Sequence, residues 1–348
     1  MKKCLKISAY LLGSIIGAGF ASGKEIVAFL GNDGLNFYSA LLCAAAIFVC
    51  CFVFLKAGSI IKGGNFGKTN AVISPRLHGF FDVCVIFNGL IILSAMIAAV
   101  TEIGNGIYPL GHFYAFVVLA GVIVITRKGR TRIMNGSFVM MFFIVAIIIA
   151  VSVENFSSGQ NAFEGRINAV SCLCYVAMNM LLSAGVMLSE KDLDTKSCVF
   201  VSAVVAVVLG TLIFTLGYSI RCAGCEDSDM PVFVLSARLG EIAYWMSVVL
   251  VLLSVVTTML TVMNEISVFL SDYTDKTFAM IITACSGFAI SLFGFEKVVE
   301  SFYPLIGLAG MLYFIVTVKY LAPFAFNIFF RKRDNKVHKR GKKAKNDS

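Results

Sequence analysis

The first apolar run of the chain is interrupted at its centre by Gly13-Ser14-Ile15-Ile16-Gly17-Ala18-Gly19-Phe20-Ala21-Ser22-Gly23. Around it lie enough apolar residues, about twenty, to cross a bilayer as a helix. Each glycine costs a helix about 1 kcal/mol relative to alanine. Within lipid, an unwound peptide group must find its hydrogen-bond partners in buried protein or a watery cavity. The sequence therefore predicts a helix broken at membrane depth around Ile16 to Gly19, and such breaks are places where ions and solutes are held. A face of small residues for close helix packing is the competing reading.

Composition places that run in a polytopic chain. Of 348 residues, 59% are hydrophobic and 14% charged, and the mean hydropathy is +0.89. A soluble domain carries about 25% charged residues. Spans are read at about 5–30, 35–57, 79–102, 109–126, 134–153, 167–188, 197–219, 240–271, 277–295 and 298–326, ten in all. Met1-Lys2-Lys3 opens a retained first span, because no small-residue cleavage site and polar mature chain follow it.

With the N-terminus placed in the cytoplasm, 24 of the 29 Lys and Arg fall in cytoplasmic segments. That bias predicts a cell (inner) membrane protein with both termini cytoplasmic. Residues 331–348 form a basic tail almost without apolar side chains, expected to be disordered. It serves as a topology anchor and suits anionic lipid; no nucleic-acid partner is expected. The oligomeric state is not legible.

Most of the eleven cysteines lie inside spans and read as small apolar packers. Cys222-Ala223-Gly224-Cys225 falls in an outer loop, where a disulfide is chemically allowed, and whether one forms stays open. Only His78, His112 and His338 stand ready to join cysteines at a metal, and zinc needs about four ligands. No H-E-x-x-H pattern, P-loop or mid-span aspartate pair occurs, so no catalytic residue, metal beyond sodium or organic cofactor is expected.

Ten spans divide into two halves of five with opposite orientation, an inverted-repeat layout. Repeat one covers about 5–153 and repeat two about 167–326, within a domain of residues 1–330. In that layout span six pairs with span one. Asn179 lies near its middle, with Ser183 and Gly185 following, so an interruption is expected there too. Asn179 is expected to face inward, because an amide in lipid must be bonded. The segment Glu226 to Arg238 is acidic, then amphipathic, and Pro231 suits a helix start; it reads as a lid or as surface packing. In span eight Ser254, Thr257, Thr258 and Thr261 share one helix face. They offer hard oxygen ligands, although each hydroxyl can instead bond its own helix.

Gly13-Ser14-Ile15-Ile16-Gly17-Ala18-Gly19 resembles the interrupted first helix of the amino acid–polyamine–organocation superfamily, and Leu253 to Tyr273 resembles the eighth helix of its LeuT-fold members. Across the ten spans the chain is similar to YkvI-type bacterial membrane proteins, most specifically in Ile16-Gly17-Ala18-Gly19-Phe20-Ala21-Ser22-Gly23-Lys24-Glu25. The resemblance implies an all-α inverted repeat that moves an amino acid or similar small organic solute by alternating access. It implies one sodium ion held by the carbonyls of Gly13 and Ile16 and by Ser254, Thr257 and Thr258. A second ion site is disfavoured, because Phe20 stands where an asparagine would supply oxygen. Proton-coupled relatives carry a lysine in span five, absent from Phe138 to Val153. The solute is expected beside Gly17, Ala18 and Gly19, whose N–H groups suit a carboxylate, with Phe20, Tyr175 and Asn179 as walls and Asn88 and Ser94 near. Lys24 and Glu25 are a possible gate at the outer end of the break. The alternatives are a membrane sensor or receptor that keeps the fold, and a proton-coupled carrier.

Overall fold

The computed structural model describes residues 2–156, 161–228, 230–293 and 305–323. Their regular elements are helices. The first run is three pieces, α1 (Lys2–Ile15), α2 (Ala18–Ser22) and α3 (Lys24–Gly34). Then come α4 (Phe37–Ile61), a short α5 (Phe66–Ile73), α6 (His78–Ile107), α7 (Phe113–Arg127) and α8 (Arg130–Glu154). The second half holds α9 (Ala169–Leu188), α10 (Thr195–Ala223), α11 (Pro231–Leu239), α12 (Glu241–Leu270), α13 (Lys276–Ser291) and α14 (Leu305–Pro323).

Six of these, α4, α6, α8, α10, α12 and α14, are long and apolar enough to cross a membrane alone, and α7, α9 and α13 add shorter apolar stretches. The protein is a multi-pass membrane protein. The beginning of the tenth expected span and the basic tail 331–348 lie outside the described residues.

Helix starts are written in short polar side chains. Asn36, Asn65, Asn168, Asp194 and Asp275 each accept a hydrogen bond from a backbone N–H two or three residues on, capping α4, α5, α9, α10 and α13. Each such cap stabilises its helix by about 1 kcal/mol. Pro231 opens α11 as expected.

Lipid offers no hydrophobic reward for pairing helices, so close backbone approach and complementary packing must hold them. A Cβ on Gly310 of α14 would lie 2.2 Å from the Ala177 carbonyl oxygen of α9, and one on Gly58 of α4 would lie 2.5 Å from that of Met187. α9 is thereby clamped between α4 and α14. α1 and α12 cross at the centre, with α6 and α8 beside them.

Span six corrects an expectation: α9 is one unbroken helix from Ala169 to Leu188. Its polar residues are satisfied inside the helix. Asn179 Nδ2 donates to the Tyr175 carbonyl at 3.0 Å and Ser183 Oγ to that of Asn179 at 3.0 Å. One glycine, Gly185, is too little to unwind it. α5 lies between the second and third expected spans. It buries Phe66, Thr69, Asn70 and Ile73. One end is tied by Lys68 Nζ to Asp272 Oδ1 at 3.0 Å and by Asn65 Nδ2 to Asp272 Oδ2 at 2.8 Å. The Lys68 and Asn65 hydrogen bonds hold the Asp272 carboxyl below its ordinary range.

Candidate ion and solute site

The break in the first span is real and narrower than expected. Helical bonding survives to Ile16, whose N–H donates to the Leu12 carbonyl at 2.8 Å. Gly17 is extended (φ −93°, ψ −167°), and its N–H turns back to the Ile15 carbonyl at 2.9 Å. The Gly13 carbonyl thereby loses the partner that a continuous helix would supply. Ala18 and Gly19 are already helical, in α2. A second interruption follows that the sequence reading did not anticipate. Gly23 adopts φ +86°, the left-handed region that glycine enters without strain, and α2 ends after five residues.

Thr258 of α12 fills the gap at the break. Its hydroxyl lies 2.9 Å from the Gly13 carbonyl oxygen and 3.3 Å from that of Ile16. The two backbone oxygens expected to hold an ion therefore meet one hydroxyl of the expected set, and all three residues are buried. Ser254 and Thr257, the other two expected hydroxyls, give their protons to their own helix, which leaves their oxygen lone pairs free to accept. Ser254 Oγ donates to the Leu250 carbonyl at 3.0 Å and Thr257 Oγ1 to that of Ser254 at 2.9 Å. Thr261 likewise bonds the Thr257 carbonyl. Thr257 is nonetheless beside α1, since a Cβ on Gly13 would lie 3.3 Å from its own Cβ. Ser137 of α8 closes the same spot: its buried hydroxyl makes no hydrogen bond and lies 3.7 Å from that Gly13 position. No sequence signal singled out Ser137, because a lone serine in a long apolar helix reads as packing.

The expected solute wall is partly assembled. Phe20 is fully buried on α2. Tyr175 of α9 is also buried, its ring 5.4 Å from that of Phe29 on α3. Asn179 is buried one turn further along α9. Asn88 of α6 is buried with both amide atoms unbonded, whereas Ser94 donates to its own helix at Ile91. The backbone donors differ from expectation. Gly17 N–H is spent on Ile15, and Ala18 N–H points at the sulfur of Met96 at 3.2 Å. Met96, from α6, packs against the break: a Cβ on Gly17 would lie 3.1 Å from its terminal methyl carbon.

Glu25 is 4% exposed and folds back so far that a Cβ on Gly19 would lie 2.2 Å from its Oε1; Lys24 is half-buried. α11 lies over this region, with Pro231 3.4 Å from the Cβ position of Gly23. Cys222 and Cys225 are free thiols, and no cluster of His, Cys, Asp or Glu suited to a metal occurs among the described residues.

A second buried polar group lies toward the end of the molecule that holds the N-terminus. Tyr10 Oη of α1 donates to Glu265 Oε1 of α12 at 3.2 Å, and Ser189, at the end of α9, donates to Glu265 Oε2 at 3.3 Å. Asn264 Nδ2 reaches both Tyr10 and Glu265. Arg130 at the start of α8 lies 5.5 Å from the Tyr10 ring centre and pairs with Glu190 at 2.8 Å. The Glu265 carboxylate of α12 thus joins α1 and the end of α9, and Arg130 brings α8 up against Tyr10.

Broken first helix, long crossing α12 and the α6–α8 surround together define a LeuT-type fold, and solved structures bear this out. The chain is similar to MhsT in complex with L-phenylalanine (TM-score 0.67, 16% identity, 94% of this chain and 97% of that one). It is similar to Mhp1, a nucleobase-cation-symport-1 family transporter closed on bromovinylhydantoin (TM-score 0.63, 16% identity, 91% and 78%). A Na+-coupled sialic acid symporter in a substrate-bound outward-open state also matches (TM-score 0.65, 9% identity, 88% and 76%). Mhp1 and the sialic acid symporter are transporters by name. Among curated proteins the chain is 21% identical over 329 residues to the uncharacterized membrane protein YkvI of Bacillus subtilis (strain 168), covering 86% of this chain and 91% of that protein. No protein-family model matches the chain.

Proposed function

We propose that this protein is a secondary active transporter of an amino acid or similar small organic solute, coupled to one sodium ion between α1 and α12. The observation that carries the reading is Thr258 Oγ1 set between the Gly13 and Ile16 carbonyl oxygens, at 2.9 and 3.3 Å. One hydroxyl proton serves two acceptors, so the spot is rich in oxygen and poor in donors. A hard cation satisfies both carbonyls at once if the hydroxyl turns its oxygen toward it, and Thr257 is near enough to add another oxygen. Solute binding beside Gly17 to Phe20, with Tyr175 and Asn179 opposite, places it next to the ion. The transporter neighbours, bound to phenylalanine or a hydantoin or named for sialic acid, support a small organic cargo. Alternating exposure follows if α1 and α9 rock against α6, α8 and α12.

The test is Thr258→Val, which preserves shape and deletes the oxygen. Sodium, but not potassium or choline, is expected to raise the melting temperature of the purified protein, and the variant to lose most of that rise. An unchanged sodium response in the variant refutes the site. A sodium-blind parent protein turns attention to Glu265 and Lys24 as proton carriers. Solute flux in proteoliposomes separates a carrier from a sensor of the same fold.

A further inference from the structure

Most buried serines of this protein give their proton to a carbonyl of their own helix. Ser8, Ser94, Ser202 and Ser254 donate three or four residues back, at 2.6 to 3.0 Å, the bond by which a hydroxyl is hidden in an apolar helix. Ser137 of α8 does not. Its hydroxyl is fully buried and makes no hydrogen bond among the described residues, although Ile133 precedes it by one turn of α8. A buried polar group left unbonded is costly. In a native structure it calls for an ion, a water or a function.

A few other buried serines share that state, and place separates Ser137 from them. A Cβ on Gly13 would lie 3.7 Å from both Cβ and Oγ of Ser137, and 3.3 Å from Cβ of Thr257. Residues of α8 and α12 therefore converge on Gly13 of α1, whose carbonyl the break leaves free and Thr258 Oγ1 meets at 2.9 Å. The Thr257 hydroxyl has given its proton to the Ser254 carbonyl and keeps lone pairs with which to accept. Ser137 has both its proton and its lone pairs to spare. Hard cations gather more oxygen ligands than two carbonyls and one hydroxyl supply. An uncommitted oxygen from a third helix adds to that set, and the Ile133 carbonyl can take the proton when the lone pair turns to the ion.

We infer that Ser137 is a ligand of the cation held between α1 and α12, so that the ion ties three helices rather than two. This rests on the sodium reading above and adds to it a residue of α8, one of the helices against which α1 moves. Departure of the ion then frees α1 from α8 and α12 together.

Sodium titrations followed by thermal shift of the purified full-length protein test it. Ser137→Ala is expected to raise the sodium concentration for half-maximal stabilisation at least threefold. Without sodium its melting temperature should equal or exceed the parent's, since the variant no longer buries an unbonded hydroxyl. Ser137→Cys, which puts a soft sulfur where the hard oxygen stood, should match the alanine variant and serves if that one does not fold. Ser247 of α12 is the control. It is equally buried and unbonded among the described residues, but lies about 16 Å along the helix from Thr258. Ser247→Ala should leave the sodium titration within twofold of the parent's. The assignment is overturned if Ser137→Ala shifts the titration less than threefold, or if Ser247→Ala shifts it as far. A lower sodium-free melting temperature with an unshifted titration makes Ser137 a packing residue. If Thr258→Val abolishes the sodium response while Ser137→Ala keeps it, Ser137 fails and the cation site stands. A parent protein that ignores sodium takes both down.

Discussion

Hydroxyl groups in an apolar helix have two uses, and single residues here divide between them. Thr258 crosses to another helix, while Ser254, Thr257 and Thr261 bond their own helix within one turn. Residue type and spacing are identical for both uses, so the sequence showed which face of α12 carries oxygen and not which oxygen reaches α1. Only the missing Gly17 bond, a backbone matter, marks the receiving partner. The same distinction makes a prediction at Tyr313. Its buried hydroxyl donates to Asn70 Oδ1, and Asn70 Nδ2 donates to Asp82 Oδ1 at 2.7 Å, tying α14 to α5 and α6. Tyr313→Phe strips the donor and leaves a buried amide oxygen unbonded, which costs about 1–3 kcal/mol. A melting temperature lowered by several degrees is the expected result. No change would mean that water replaces the hydroxyl.

Elements were legible where hydrophobic runs were long and bounded, and less so where backbone irregularity decided. The expected limits 240–271 and 167–188 fall within two residues of α12 and α9, because polar or glycine-containing turns flank both. The break in span one was legible from glycine density. The left-handed turn at Gly23 was not, since a fourth glycine in the same run reads as more of the same break. The unbroken α9 went the other way: Asn179 and Ser183 looked like interruptions but close bonds inside one helix. Glycine also acts between elements. Gly310→Ala drives a methyl group into the Ala177 carbonyl, a backbone atom that cannot rotate away, and α14 must shift from α9. Gly121 of α7 has no neighbour within 4 Å of its Cβ position. Gly121→Ala should be neutral or gain up to about 1 kcal/mol of helix propensity, whereas Gly310→Ala should cost several degrees of melting temperature or abolish expression. Equal behaviour of the two would remove close α9–α14 packing as a source of stability.

At the scale of the molecule, the layout of a broken first helix crossing an eighth was readable from pattern and resemblance, while the tie near the N-terminal end was not. Tyr10, Arg130, Ser189 and Glu265 lie on four different helices, and nothing in their spacing along the chain brings them together. If α1 and α9 rock against α8 and α12, this end opens only when Glu265 releases Tyr10 and Ser189. α1 can swing as a unit, because it is continuous to Ile15 and its first irregular peptide is at Gly17. Hydrogen bonds to a charged group contribute about 1.5–3 kcal/mol, so Glu265→Gln, which keeps the shape and removes the charge, should favour opening by roughly tenfold or more. The expected signature is faster amide hydrogen exchange confined to residues 2–15 and the end of α9, with α10 and α13 unaffected. Tyr10→Phe should act in the same direction and more weakly, since Ser189 and Asn264 still hold the carboxylate. Uniform acceleration across all helices would instead identify Glu265 as a general stabiliser. Unchanged exchange in α1 would show that this end is held shut by packing alone.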